Sequence, residues 1–256
     1  LGPVADRDQI IEFCDGLLEI GRFSDYGPNG LQVPGRREVS AVATGVTPNR
    51  AFLEAAVESG ADLAISHHGL FFGEGSPALT EQQAGRLRTL LEAEVSLAAY
   101  HLPLDAHREI GNNALLCARL GLEPLEQGFG EVKGAPIGLI GRSPEGIEAG
   151  ELFARVGSLL GREPLVFDSG PARVHTVGIV TGAAASLIEE AAALGLDAFL
   201  TGEPAEHALG DARESALHFI AAGHYATETF GVQRLGELVA ERFRVTHTFV
   251  DVPNPI

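Results

Sequence analysis

The feature that most constrains this chain is a gapless internal repeat. Val39 to His68 can be laid over Val174 to Glu203 at a constant offset. Gly60-Ala61-Asp62 then falls on Gly195-Leu196-Asp197, Leu63–Ile65 on Ala198–Leu200, and His67-His68 on Gly202-Glu203. Each copy continues through a helical stretch to a further apolar run that ends in a histidine with a carboxylate four residues later. These are His101-x-x-x-Asp105 in the first copy and His224-x-x-x-Glu228 in the second. Two diverged copies of one strand–helix–strand unit account for this pattern. The competing explanation is that any two such units look alike.

Around the repeat the chain alternates strand and helix. Residues 8–21 carry Ile10, Ile11, Cys14, Leu17 and Leu18 at helical spacing. Residues 23–35 hold Asp25, Gly27, Pro28, Asn29 and Gly30 and read as a turn-rich loop, as does Gly73-Glu74-Gly75. Short β-rich runs are expected at 39–44, 63–66, 95–100, 137–140, 164–167, 174–180, 198–200, 217–222 and 245–250. Helices are expected at 50–59, 80–93, 112–120, 148–160, 184–194, 204–216 and 230–242. Such alternation predicts an α/β chain with mainly parallel pairing. Residues 121–136, rich in Gly and Pro, read as a connector. The expected division is therefore 1–125 and 126–256, with the C-terminal segment packing back on the first part.

Composition removes several classes. The formal net charge is -17, with 18 Lys and Arg in no run, so a nucleic-acid duplex or an anionic membrane would be repelled. Aromatics are 6% of residues with no Trp, a poor supply for base stacking. No apolar stretch approaches about 20 residues, so a membrane span is not expected, nor is a secretory signal. Leu1-Gly2-Pro3 are set aside. Cys14 and Cys117 sit in apolar helical surroundings and read as buried thiols in a reducing cytoplasm rather than as a disulfide. Phosphate-loop, dinucleotide-binding, G-x-S-x-G and C-x-x-C patterns are all missing.

The chemistry-bearing residues gather at strand ends, where α/β folds collect ligands. His67 and His68 end one strand, Asp105 lies just past another, and His224 and Glu228 lie just past a third. Imidazole and carboxylate are the usual ligands of Zn, Mn, Fe and Ni ions. Taken singly, each histidine is as well explained by an ordinary hydrogen-bonded role. Asp62 and Asp197 precede strands and read as turn or cap residues. His175, His218 and His247 read as structural, and His107 and His207 as neighbours of the motifs.

The motifs together resemble a known family. Ser66-His67-His68-Gly69-Leu70-Phe71-Phe72, His101-Leu102-Pro103-Leu104-Asp105 with Gly111-Asn112-Asn113, Thr201-Gly202-Glu203 and Ala222-Gly223-His224-Tyr225-Ala226-Thr227-Glu228 resemble the signatures of the GTP cyclohydrolase 1 type 2 homologue, or Nif-three-like, family. So do the loop from Tyr26 to Val33 and the tail from Asp251 to Pro255. Gly69 stands where Pro is common and Tyr225 where His is common. The chain resembles the compact form, without the extra middle domain. The resemblance implies two similar α/β lobes with a dinuclear metal site in the crevice between them, and a homo-hexameric ring. It implies that His68 and Asp105 hold one divalent ion, that His67 and His224 hold the other, and that Glu228 bridges both. His101 is implied to stand beside them. The function expected is a metal-dependent hydrolase in the cytoplasm, with His101 or Glu203 moving the proton and a small-molecule substrate. The alternative is a non-catalytic metal-binding ring or a protein-interaction factor.

Overall fold

The computed structural model describes residues 4–73 and 78–256. Leu1-Gly2-Pro3 and the Glu74-Gly75 part of the expected loop lie outside the described residues. The chain divides into two units, Leu1–Leu104 with Gly231–Val252, and Asp105–Phe230 with Pro253–Ile256. The expected boundary after residue 125 falls inside a strand of the second unit, Glu123–Val132.

The first unit is built on a five-stranded sheet in the order Thr246–Phe249, Ala41–Gly45, Leu63–Ser66, Ser96–Ala99, Gly30–Val33. The first four strands are parallel, and Gly30–Val33 closes the edge antiparallel. Alternation sorts its faces. Ala43, Ala64 and Leu97 pack with Phe52, Leu53 and Leu90 of helices Arg50–Glu58 and Glu81–Ala93. On the other face, helix Thr229–Phe243 approaches closely at Gly236, where a Cβ would lie 2.2 Å from His247 and 2.6 Å from Thr44. The helices start where local chemistry directs. Asn49 caps Arg50–Glu58 by accepting from Phe52 N, and Thr80 with Gln83 forms a capping box on Glu81–Ala93.

The second unit holds a six-stranded sheet in the order Glu123–Val132, Ala135–Glu148, Arg173–Ile179, Ala198–Thr201, His218–Ala221, Leu165–Phe167. The third, fourth and fifth strands are parallel, and both flanks are antiparallel. Helices Asn112–Arg119 and Ala149–Leu160 cover one face through Leu116, Leu152 and Val156, against Val177, Ile179, Leu200 and Ile220. The other face carries an edge-to-face row, Phe129 to Phe199 at 5.7 Å and Phe199 to Phe219 at 5.9 Å.

The two sheets share one internal order: three parallel strands followed by an antiparallel edge strand. One side-chain device recurs at the same repeat positions. Asp62 accepts hydrogen bonds from Ser40 N, Ser40 Oγ and Ala41 N at the start of the neighbouring strand. Asp197 accepts from His175 N, Thr176 N and Thr176 Oγ1, the aligned positions. A carboxylate that ties two parallel strand starts together explains why this Asp stands in both copies.

Three sequence expectations are corrected. Residues 121–136 are not a connector: Glu123–Val132 and Ala135–Glu148 form a long hairpin, turned by Lys133 and Gly134 with φ 50° and 84°. Two successive positive φ values are what a two-residue hairpin turn requires. The loop at 23–35 contains the edge strand Gly30–Val33, too short for its alternation to be read. The helix expected at 8–21 ends at Leu17, and after Glu19 at φ 48° a single 3-10 turn follows at Ile20–Arg22. Among the described residues no helix is long and apolar enough to cross a membrane.

Candidate metal centre

In the first unit the donors begin where strand Leu63–Ser66 ends. The chain is pinned there rather than frayed. His67 N donates to Gly45 O at 3.1 Å, His68 N to Val46 O at 2.8 Å, and Ser66 Oγ to His68 O at 2.7 Å. His67 is fully buried. Its Nδ1 lies 2.9 Å from the Tyr100 carbonyl, which can only accept, so the proton sits on Nδ1 and Nε2 keeps its lone pair. His68 Nδ1 is engaged by Thr47 Oγ1 at 2.9 Å. His101 Nδ1 donates to Asp25 Oδ1 at 2.8 Å. Asp25 is itself held by Asn29 Nδ2 and Leu102 N, each at 2.9 Å, and by Tyr26 N at 2.6 Å. Burial works against ionisation of Asp25, but these hydrogen bonds and the His101 ring prevail and hold the carboxyl below its ordinary range.

The three rings therefore converge. Ring centroids lie 5.0 Å apart for His67 and His68, 5.1 Å for His67 and His101, and 5.8 Å for His68 and His101. One nitrogen from each lies within 4.8 Å of the others. In His67 and His101 the Nδ1 proton goes to an acceptor, so Nε2 is the nitrogen that each offers a cation.

In the second unit the donors are carboxylates around one histidine. His224 opens the single helical turn His224–Thr227, so Glu228 sits one turn on, with Oε2 3.1 Å from His224 Nε2. His224 Nδ1 donates to Glu203 Oε1 at 2.5 Å. Burial lowers the tendency of His224 to hold a proton, but Glu228 and Glu203 outweigh it and push its pKa up to about 9. A cation on Nε2 competes with that proton. Asp105 and Glu228 are buried, and their carboxylate oxygens lie within 4.8 Å of each other. Asp105 Oδ1 accepts from Asn112 Nδ2 at 2.8 Å and Thr181 Oγ1 at 3.2 Å. Gly182 leaves room for Glu228: its φ is +74°, and a Cβ there would sit 2.4 Å from Glu228 Oε1. Glu228 thus lies within reach of both Asp105 and His224.

All the residues singled out from the sequence lie in one or other of these groups: His67, His68 and His101 in the first unit, and Asp105, Glu203, His224 and Glu228 in the second. The other histidines do different work. His107 Nδ1 accepts from Glu109 N and Ile110 N, and His207 is an exposed residue before helix Ala208–Glu214. His218 bonds Pro171 O, and His247 bonds Thr44 Oγ1. Of the residues that orient the donors, sequence reasoning named Asn112 only as part of a family motif and Asp25 only as part of a turn-rich loop, and it passed over Thr47 and Thr181 as site residues. No local pattern assigned any of them an orienting role.

Known proteins resemble this chain over nearly its whole length. The family model described as Duf34/NIF3 (NGG1p interacting factor 3) matches residues 5–255. A Pseudomonas aeruginosa protein named GTP cyclohydrolase 1 type 2 homolog is 44% identical over 249 residues, 96% of this chain and 97% of that one. Among solved structures, a structural-genomics protein of unknown function, ybgI, superposes with a TM-score of 0.92 at 42% identity, covering 98% of this chain and 100% of its own. A protein from Thermus thermophilus superposes with a TM-score of 0.87 at 36% identity, with the same coverage.

Proposed function

The chain belongs to the Duf34/NIF3 family, and from that premise and the donor geometry we propose that it binds two divalent metal ions and acts as a metal-dependent hydrolase. The ligands are His67, His68, Asp105, His224 and Glu228. The observation that carries this reading is the orientation of the donors. The Tyr100 carbonyl on His67 and the Glu203 carboxylate on His224 only accept, so each takes the Nδ1 proton and leaves Nε2 as the nitrogen for a metal. The placement of Glu228 beside both Asp105 and His224 supports its role as the bridge. Zn, Mn, Fe and Ni all accept such donors.

When bound, two such ions polarise a substrate oxygen and lower the pKa of water. The remaining chemistry falls to the chain. His101 is the proton carrier, because Asp25 fixes its Nδ1 proton and leaves Nε2 as the working nitrogen. Glu203 positions His224 through Nδ1 and raises the basicity of its other nitrogen. Substrates with a phosphoester, amide or cyclic amidine suit this arrangement; the name of the Pseudomonas aeruginosa relative favours the last. The second reading is a non-catalytic metal-binding ring or interaction factor, which the description of the matching family favours. A homo-hexameric ring and a cytoplasmic setting complete the proposal, the latter supported by two buried free cysteines.

Turnover by the metal-loaded chain separates the two readings. A panel of p-nitrophenyl phosphate, amino-acid nitroanilides and purine nucleotides is assayed for the parent and for His101→Ala. The hydrolase reading expects turnover to fall about 10²–10⁴-fold in the variant with metal content unchanged. No turnover on any substrate by the fully loaded parent favours the non-catalytic reading.

A further inference from the structure

Aromatic side chains are costly to leave in water, and this chain keeps most of them at least half-buried. Among the described residues the exposed large hydrophobics include only two aromatics, Tyr26 at 49% and Phe72 at 41%. Both stand against the same ring. Tyr26 lies edge-on to His101 with centroids 6.0 Å apart, and Phe72 lies 5.0 Å from His101 and 6.1 Å from His68. The His101 side chain keeps 18% exposure between its neighbours.

The two loops that carry these rings are strapped together. Gly73 N donates to Tyr26 O at 2.6 Å. Gly27 packs so closely on the second loop that a Cβ would lie 2.1 Å from Phe71 O and 2.9 Å from the Phe72 ring. Tyr26 N also donates to Asp25, the carboxylate that orients His101. The rings are therefore fixed to the scaffold that fixes the histidine. Flat faces held in place beside a polar ring lose little freedom on binding, which favours a planar partner.

We propose that Tyr26 and Phe72 form an aromatic rim that receives a planar, uncharged heteroaromatic ring over His101. This rests on the reading of His101 as part of the candidate site, and it adds the class of group that the site takes. Stacking on such rings is tolerant of ring identity, so the rim selects for flatness rather than for one heterocycle. With a net charge of -17 the surface favours a ring that brings no strong negative charge of its own.

Binding is read by equilibrium dialysis, which depends on no tyrosine and so serves the Tyr26 variants as well as the parent. Purine riboside is the probe and ribose the control. Titrations are run on the protein as purified and again after chelation, so that loss of the metal reading and loss of the rim reading are distinguishable. The expected result is saturable binding in both states, roughly tenfold weaker in Phe72→Leu and Tyr26→Ala and unchanged in Tyr26→Phe. Ribose should neither bind nor compete. Circular dichroism and sizing by gel filtration accompany each variant. Equal affinity in parent and variants, no saturable binding, or a change of oligomeric state in the ring-deleted variants would overturn the proposal. The last outcome would assign the rings to a contact between copies.

Discussion

A histidine binds a metal only through a nitrogen that carries no proton, so at the residue scale the bonds to Nδ1 decide what this site can do. The Tyr100 carbonyl, Asp25 and Glu203 each accept the Nδ1 proton of one imidazole and leave its Nε2 as the candidate donor nitrogen. Asn112 does the matching work for Asp105. Asn112→Ala is expected to weaken metal binding about 10–100-fold by calorimetric titration, and unchanged affinity would show that Asn112 does not orient a ligand. Gly182 makes a sharper case. Gly182→Ala and Gly195→Ala both force an alanine to positive φ, costing about 1–2 kcal/mol of stability each. Only at Gly182 does the new methyl meet Glu228, whereas Gly195 has nothing within 4 Å. Metal affinity should fall in the first variant alone, and an equal fall in both would show that Glu228 is not the group affected. The donors themselves were legible in the sequence, because His-His and His-x-x-x-acid patterns are rare enough to stand out. Asp25 and Thr181 were not, because a carboxylate or hydroxyl that orients another side chain across 76 residues leaves no local pattern.

At the scale of elements, the repeat was legible because strand and helix periods survive divergence, while the hairpin at 123–148 was not. Gly and Pro mark turns and connectors alike, and the two-residue turn at Lys133-Gly134 differs from a linker only in its pairing. The aligned aspartates test the repeat energetically. Asp62→Ala strands three donors and the Arg36 guanidinium, so it should lose about 2–3 kcal/mol in chemical denaturation, with Asp197→Ala somewhat less because Asp197 is more exposed. A loss below about 0.5 kcal/mol in both would leave the device without weight. Helix Thr229–Phe243 offers a pH test. Burial holds His247 below its ordinary pKa, with Glu237 pulling weakly the other way. A depressed pKa stabilises the fold fully above the unfolded value of about 6.5 and loses that stability as pH falls through the folded one. The denaturation midpoint should therefore drop as pH is lowered through this window, and the drop should shrink in His247→Gln. An identical pH profile in the variant would contradict the assignment.

For the whole molecule, the net charge of -17 and the buried acidic donors point the same way. Asp105 and Glu228 are buried with oxygens within 4.8 Å of each other and with His224 3.1 Å from Glu228, a group of donors that a divalent cation suits. The sequence already carried the α/β class and the family, since both follow from patterns spread over the whole length. The return of the C-terminal segment to the first part is expected from it, but the break after Leu104 is not: the expected break falls at residue 125 instead, because the Gly- and Pro-rich stretch 121–136 looks locally like a connector. Metal content measured by elemental analysis, on the purified protein and on an Asp105→Ala, Glu228→Ala double variant, tests the central claim most directly. About two divalent ions per chain are expected in the parent, and their loss in the variant, with circular dichroism unchanged. A parent that neither carries nor takes up metal would contradict the dinuclear site, and the hydrolase reading would fall with it.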